Sequence, residues 1–404
     1  MTHNPRIKLI KNLPEAKREI KSIKADPYSI NLMAPKMLHS CIKLESVEAK
    51  IAHILKQEML AIGADAAVSR GILDNTDKKT DIILMGTHKQ YRRLIKRLKK
   101  QPFGLSKIGC DIENILNNFE DGKIKKELKL KFKNHELKIG SKTLVMGILN
   151  VSPDSFYDGG RYNDLKKAVE RAKQMVADGA DIIDVGGESS RPGSEPITIA
   201  EELNRVIPVI DAISKEINVP ISIDTCKSEV AKLAISAGAS IINDISGLRF
   251  DENIAKVASE YDVPVIIMHI RGTPKDMQKN PHYEDVVGEI ISFFRKQIKF
   301  AVDSGIDENK IIIDPGIGFG KTVENNLEII RKIGEFKVLG MPILIGTSRK
   351  SFIGVTLGQE NPGDRLFGSL ATVAVSVMNG ANIVRVHDVA ESKMVVKMTD
   401  AMVR

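Results

Sequence analysis

The sequence predicts an α/β chain whose larger part is a closed (β/α)8 TIM barrel, preceded by a smaller α/β or α+β domain. Two observations carry that expectation. From residue 143 onward a short apolar run, a polar or glycine-rich tip and an amphipathic stretch recur eight times, and such alternation builds a parallel sheet with helices outside it. The 404 residues also exceed the roughly 250 that a barrel of this kind uses. Residues 1–138 are therefore assigned to an N-terminal domain and 139–404 to the barrel.

In the N-terminal part, helix-like stretches (14–24, 47–62, 87–100 and 111–119) alternate with the apolar runs SINLMA (29–34), AAVSRG (66–71) and DIILMGT (81–87). Residues 122–143 alternate Leu, Phe and Ile with Lys, which predicts a strand pair leading into the barrel and covering its bottom. The barrel strands follow as TLVMGILN (143–150), DIIDVGG (181–187), VPISIDT (219–225), SIINDIS (240–246), VPVIIMHI (263–270), IIIDPGIGF (311–319), PILIGTS (342–348) and IVRVHDV (383–389). Their near-continuous Ile and Val suit parallel strands buried on both faces. Helix-period stretches such as 163–178, 201–216 and 286–304 supply the crossovers.

Hydrophobic residues at 42% and charged residues at 28% place the chain among globular proteins with buried cores. No apolar run approaches the roughly 20 residues of a membrane helix, and MTHNPRIKLI lacks a signal-peptide core; the expected location is the cytoplasm. Cys41, Cys110 and Cys226 have no metal-ligand spacing, so neither a disulfide framework nor a zinc site is expected. Cys226 reads as an inert residue near a strand end. The charge is uneven: residues 1–140 hold 29 Lys and Arg against 16 Asp and Glu, within a total of +8. Its densest part, YRRLIKRLKK (91–100), reads as an amphipathic helix with Leu94, Ile95 and Leu98 inward and a solvated basic face. Without aromatic interleaving or a nucleic-acid motif, a nucleic-acid partner is not expected.

Barrel chemistry is built at the C-terminal ends of the strands. Here those ends supply Asn150, Glu188, Asp224, Asn243, His269, Asp314, Ser348, Arg349, Lys350, Arg385 and His387. Each alone reads as a cap or a loop hydrogen bond; their convergence on one mouth points to a site. Buried acids such as Asp224 and Asp314 call for a donor-rich partner, and a flat heterocycle with N–H groups supplies one. Asn243 offers a donor and an acceptor to the adjacent ring edge, Lys350 can donate to the ring, and Met268 and Phe319 can wall it. A second set is anion-seeking: Arg191 with Ser189 and Ser190, Ser348 with Arg349 and Lys350, and Arg385 with His387 point to phosphate or pyrophosphate. Ser351 falls near the start of a helix, where an anion is favoured. The long loops at 150–164 and 186–198 read as functional. Asn150 offers an oxygen to a hard cation such as Mg2+, which would bridge to phosphate oxygens.

MGILNVSPDSFYDGG (146–160), DVGGESSRPG (184–193), SIDTCK (222–227), INDISG (242–247), MHIRGTPKDMQ (268–278), DPGIGFGKT (314–322), GTSRKSFIG (346–354) and RVHDV (385–389) together resemble dihydropteroate synthase, of the pterin-binding barrel family. They cover 143–404 in order and leave the N-terminal residues outside. The resemblance implies that a dihydropterin pyrophosphate is condensed with p-aminobenzoate in folate biosynthesis, with Mg2+, and that the enzyme is a target of sulfonamides. It implies pterin contacts at Asp224, Asn243, Ile245, Met268, Asp314, Phe319 and Lys350, and pyrophosphate contacts at Asn150, Arg191, Arg385 and His387, with Asn150 also on the metal. Phe156, Ser190, Pro192 and Ser351 would frame the p-aminobenzoate pocket. Asp158 would stand near the cation; with Arg191, Lys350, Arg385 and His387 it makes up the catalytic set. The role of His269 stays open. A homodimer is the expected assembly.

Ser190 stands where the family commonly has Thr, and Tyr157 where Ser is frequent, so the fit of sulfonamides is open to change. A pterin-dependent methyltransferase would share the acid and amide contacts but lack the anion clusters. A non-catalytic pterin-binding protein would have no need of the leaving-group contacts.

Overall fold

In the computed structural model, which describes residues 3–73, 76–120, 128–132, 135–140, 142–151 and 160–403, the chain divides into two compact units, Met1–Lys125 and Lys126–Arg404. The first unit opens with α1 (Leu13–Ser22), where the Asn12 side chain accepts the Glu15 N–H, and α2 (Pro27–Met33), where Asp26 accepts from Tyr28 and Ser29. Asp at the cap and Pro at the first position are strong helix starts, and they carry most of the apolar run SINLMA into helix, where the alternation of the sequence suggested a strand. Next come β1 (His39–Glu48), α3 (Ala49–Ala61), β2 (Asp65–Val68), α4 (Arg70–Leu73), β3 (Lys79–Thr87), α5 (His88–Leu98) and α6 (Leu105–Glu120). The strands form an antiparallel sheet ordered β1-β3-β2. Ile82 and Leu84 of β3 pack on Leu55 and Met59 of α3, on Tyr91, Leu94, Ile95 and Leu98 of α5, and on Ile112 of α6. The outer face of α5 leaves Arg92, Arg93, Lys96 and Arg97 exposed, the solvated basic face that its periodicity predicts.

The second unit begins with a hairpin, β4 (Leu128–Phe132) and β5 (His135–Ile139), antiparallel with Leu128 opposite Ile139. The hairpin thus belongs to the barrel unit, ahead of the boundary expected near 138. Then come the barrel strands β6 (Leu144–Asn150), β7 (Ile182–Gly186), β8 (Ile221–Asp224), β9 (Ile241–Asp244), β10 (Val265–Met268), β11 (Ile311–Asp314), β12 (Leu344–Ile345) and β13 (Ile383–Val386). All are parallel in the order β11-β10-β9-β8-β7-β6-β13-β12, and a parallel bridge between Ile313 and Ile343 closes the ring. The outer layer is α7 (Gly160–Ala177), α8 (Ile199–Glu216), α9 (Ser228–Ala237), α10 (Asn253–Glu260), α11 (Val286–Asp303), α12 (Val323–Arg331), α13 (Ser351–Leu357), α14 (Leu366–Met378) and α15 (Val389–Val403). Among the described residues no helix is long and apolar enough to cross a membrane.

Alternate strand residues face the barrel axis. The lower inward level is apolar: Leu144, Met146, Ile182, Ile241, Ile266, Ile312, Leu344 and Ile383 form one cluster with Ile139 at the end of the hairpin. Ile139 thus packs under the barrel floor, where the alternating Lys and apolar residues predict a cover. Charged side chains one level higher rest on this dry floor.

Candidate active site

Two residues beyond the apolar floor, the same inward parity delivers Asp184 after Ile182, Asn243 after Ile241, Met268 after Ile266, Asp314 after Ile312 and Arg385 after Ile383. Arg385 is the hub. Its Nε donates to Asp184 Oδ2 at 2.6 Å and its Nη2 to Asp224 Oδ2 at 2.7 Å. Asn243 Nδ2 donates to the same Asp184 carboxylate at 3.2 Å. Asp184 is fully buried, so the guanidinium and the amide are what keep its charge tolerable. Burial opposes the Arg385 charge, but Asp184 and Asp224 outweigh it and raise its pKa. For Asp224 burial wins: its carboxyl is pushed up to about 7, with Arg385 pulling down and Asp184 adding repulsion.

Asp314 lies across the mouth, 6% exposed, and accepts the Gly316 N–H at 2.8 Å. Burial raises its pKa, while the Lys350 ammonium and the Gly316 N–H pull it back. Lys350 caps α13 from outside, donates to the Ile317 carbonyl and stands 4.7 Å from the Phe319 ring centroid. Burial pushes its pKa down to about 8 against the attraction of Asp314. Phe319 packs with Met268, Ile270 and Met277, and Ile245 joins them. The three apolar walls expected from the sequence, Ile245, Met268 and Phe319, are therefore one surface.

The β11 loop reaches this position through glycines. Gly316 has φ +69°, and a Cβ there would lie 1.9 Å from the His269 carbonyl oxygen. Only a residue without a side chain lets the two tips approach so closely.

Other expected residues are placed as follows. His387 Nδ1 is 3.1 Å from Ser348 Oγ, which also accepts the His387 N–H at 3.2 Å. Burial and Arg385 push His387 down to about 4. Asn150 ends β6 beside Gly186 in register and is exposed. Ser190, Arg191 and Pro192 stand on the loop after β7, whose Gly193 N–H donates to the Pro274 carbonyl at 2.9 Å. Ser351 opens α13 and is exposed. Phe156 and Asp158 lie outside the described residues.

Arg349 is a correction. Its Nε and Nη2 grip Asp388 at 2.9 and 2.7 Å, and its Nη1 donates to Pro362 and Gly363. A positive φ of 57° at Arg349 turns it away from Lys350, so the Ser-Arg-Lys run is not one anion cluster. Glu188 is bound to Lys227 together with Glu202, which ties down the base of the β7 loop. Burial and Asp244 raise the pKa of Cys226 well above its ordinary value, which fits an inert thiol. Sequence reasoning missed Asp184, the carboxylate that joins Arg385 to Asn243, and Lys321. The inward parity of DIIDVGG was the available signal for the first.

No group of three or more His, Cys, Asp or Glu suited to a metal occurs among the described residues. A cation here would depend on Asn150 and on oxygens that a substrate brings, a pattern that suits Mg2+.

A family model described as pterin binding enzyme matches residues 146–387. The chain is 51% identical over 261 residues to a dihydropteroate synthase of Bacillus subtilis, covering 65% of this chain and 89% of that one. A probable bifunctional folylpolyglutamate synthase/dihydropteroate synthase of Halobacterium salinarum is 38% identical over 393 residues, 97% of this chain and 46% of the other. The solved dihydropteroate synthase of Clostridium difficile, in the presence of pteroic acid, aligns with 48% identity and a TM-score of 0.62 over 66% of this chain and 98% of its own.

Proposed function

The chain belongs to the pterin-binding enzyme family, and from that premise we propose how its barrel carries out the dihydropteroate synthase reaction of folate biosynthesis. In that reaction 6-hydroxymethyl-7,8-dihydropterin pyrophosphate and p-aminobenzoate give 7,8-dihydropteroate and pyrophosphate. The observation that carries the site assignment is the polar level above the apolar floor. Two carboxylates, the part-buried Asp224 and the buried Asp314, have their charge opposed by burial and stand at the same level as the Ile245, Met268 and Phe319 surface. A flat ring with N–H donors fits that arrangement: Asp314 and Asp224 accept from it, Asn243 reads the neighbouring edge and Lys350 donates to the ring.

In the chemical step the bond between the exocyclic methylene and the pyrophosphate oxygen breaks, and its electron pair leaves with pyrophosphate. The arylamine lone pair forms the new C–N bond, and the proton it then sheds passes to water or to the departing anion. The dihydropterin ring shares the positive charge that develops at the methylene. Asp224 and Asp314 lower the energy of that cationic ring, while Arg191, Arg385 and His387 receive charge on the leaving group. An arylamine needs no strong base. Asn150 would hold Mg2+ together with pyrophosphate oxygens, and the ion would supply charge neutralisation there. Ser190, Pro192 and Ser351, with Phe156, would frame p-aminobenzoate and the sulfonamides that mimic it; Asp158 would stand near the cation.

Calorimetry with 6-hydroxymethyl-7,8-dihydropterin tests the ring contacts. Asp314→Asn and Asp224→Asn are each expected to weaken binding about tenfold or more, since a ring donor loses its acceptor, a cost of about 1–3 kcal/mol. Unchanged affinity in both variants removes the assignment.

We propose a homodimer built on the barrel unit. Met394, Met398 and Met402 lie at i, i+4 and i+8 on α15 and are 61–66% exposed, and Phe367 of α14 is 80% exposed. Such an apolar face suits a second copy of itself. Because the face and the site both lie in Lys126–Arg404, a chain beginning at Lys126 is expected to sediment as a dimer and to release pyrophosphate within threefold of the full-length rate. A folded but inactive product makes the N-terminal unit part of the site, and a monomer removes the interface. The expected location is the cytoplasm, in keeping with three free cysteines; recovery in a secreted or membrane fraction contradicts it.

A further inference from the structure

The geometry points to Lys321 as a positioning residue that locks the tips of β10 and β11 into the shape of the pterin slot, an inference that rests on the reading of this mouth as a pterin site. Lys321 is 2% exposed. Its Nζ donates to the Phe319 carbonyl at 3.0 Å, meets His269 Nδ1 at 3.0 Å and reaches the His269 carbonyl at 3.4 Å. Burial pushes the Lys321 amine well below the usual lysine range, with Asp314 opposing, and three polar partners from two tips surround its nitrogen. A buried amine is costly, and a methionine of similar length would avoid the cost. The three contacts give the amine a purpose, because they join two separate tips.

On the β10 side they hold His269, directly after the slot residue Met268. On the β11 side they hold the carbonyl of Phe319, which packs in the same surface as Met268, and the His269 N–H in turn donates to the Asp314 carbonyl at 2.9 Å. His269 is itself wedged edge-on against Phe293, with centroids 4.9 Å apart. Burial, with the neighbouring Lys321 and Arg249, lowers its pKa well below the usual histidine range, so a neutral ring stands beside Lys321. Lys321 and His269 thus stand behind the slot and fix the packing of Phe319 on Met268 together with the placement of Asp314. The geometry accounts for both residues without a proton-transfer role.

Lys321→Met and Lys321→Gln test this in the full-length protein, by calorimetry with 6-hydroxymethyl-7,8-dihydropterin and, separately, with inorganic pyrophosphate and Mg2+. Lys321→Met is expected to weaken pterin binding at least tenfold and Lys321→Gln by a smaller factor, since the amide restores part of the donation. Pyrophosphate affinity is expected to stay within twofold in both. If the Met variant does not fold, the Gln variant carries the comparison. Pterin affinity within twofold of the unsubstituted protein, or equal losses for both ligands, overturns the proposal. Failure of the unsubstituted protein to bind the pterin would count against the function itself, which keeps the two claims distinguishable.

Discussion

Asp184→Asn is expected to lower kcat/KM by about a hundredfold or more, equivalent to about 2.7 kcal/mol. The carboxylate is fully buried and holds Arg385 Nε at 2.6 Å and Asn243 Nδ2 at 3.2 Å. Removing its charge leaves the buried guanidinium with Asp224 as its remaining carboxylate partner. Breaking a buried pair from one side typically costs about 3–5 kcal/mol, and here the cost falls on two groups that face substrate. Arg385 is drawn further onto Asp224, the acid that has to accept from the pterin, and Asn243 loses its anchor. Steady-state kinetics beside a thermal melt separate this from unfolding. Asp181 is the contrast, since it lies one residue before β7 and pairs with Lys142 and Lys393 at the end of the barrel that supports stability. Asp181→Asn is expected to lower Tm while keeping kcat/KM within threefold. Equal kinetic losses in both variants would mean that Asp184 has no special place in the site.

Gly316→Ala is expected to be the most damaging single methyl group in the barrel. The added Cβ would sit 1.9 Å from the His269 carbonyl oxygen, on a backbone with φ +69°, so steric overlap and left-handed strain act together. A loss of about 3–5 kcal/mol puts it among the severe substitutions, and a Tm lower by at least about 5 °C is the readout. The site suffers too, because Gly316 gives its N–H to Asp314 and its neighbour Ile317 accepts from Lys350. Gly334→Ala is the control: a Cβ there would lie 3.6 Å from the Asn379 carbonyl oxygen, and little change is expected. A Gly316→Ala protein that melts like the parent would show that the two tips can separate freely.

Much of this architecture is legible in the chain. The eight barrel strands declare themselves because parallel strands are apolar on both faces, and the acids of SIDT and DPG stand out against Ile. Asp184 hides in DIIDVGG because the acid that marks the tip in sequence is Glu188, just beyond it, whereas pairing of Asn150 with Gly186 ends the strand earlier. Arg349 and Lys350 look equivalent in sequence, yet one positive φ sends them to different partners. In the N-terminal unit β1 escapes notice because its residues are mostly polar and exposed, while SINLMA looks like a strand until the Asp26 cap and Pro27 are weighed. Lys321 reads as loop polarity beside Thr322, and only the approach of the β10 tip shows that its amine is buried.

The central claim is that this barrel mouth joins a dihydropterin to an arylamine with loss of pyrophosphate. Purified full-length protein, supplied with 6-hydroxymethyl-7,8-dihydropterin pyrophosphate, p-aminobenzoate and Mg2+, is expected to release pyrophosphate and form 7,8-dihydropteroate in equal amounts, with formation of 7,8-dihydropteroate abolished when either organic substrate is omitted. Folded protein that binds the pterin yet forms no dihydropteroate would contradict the account.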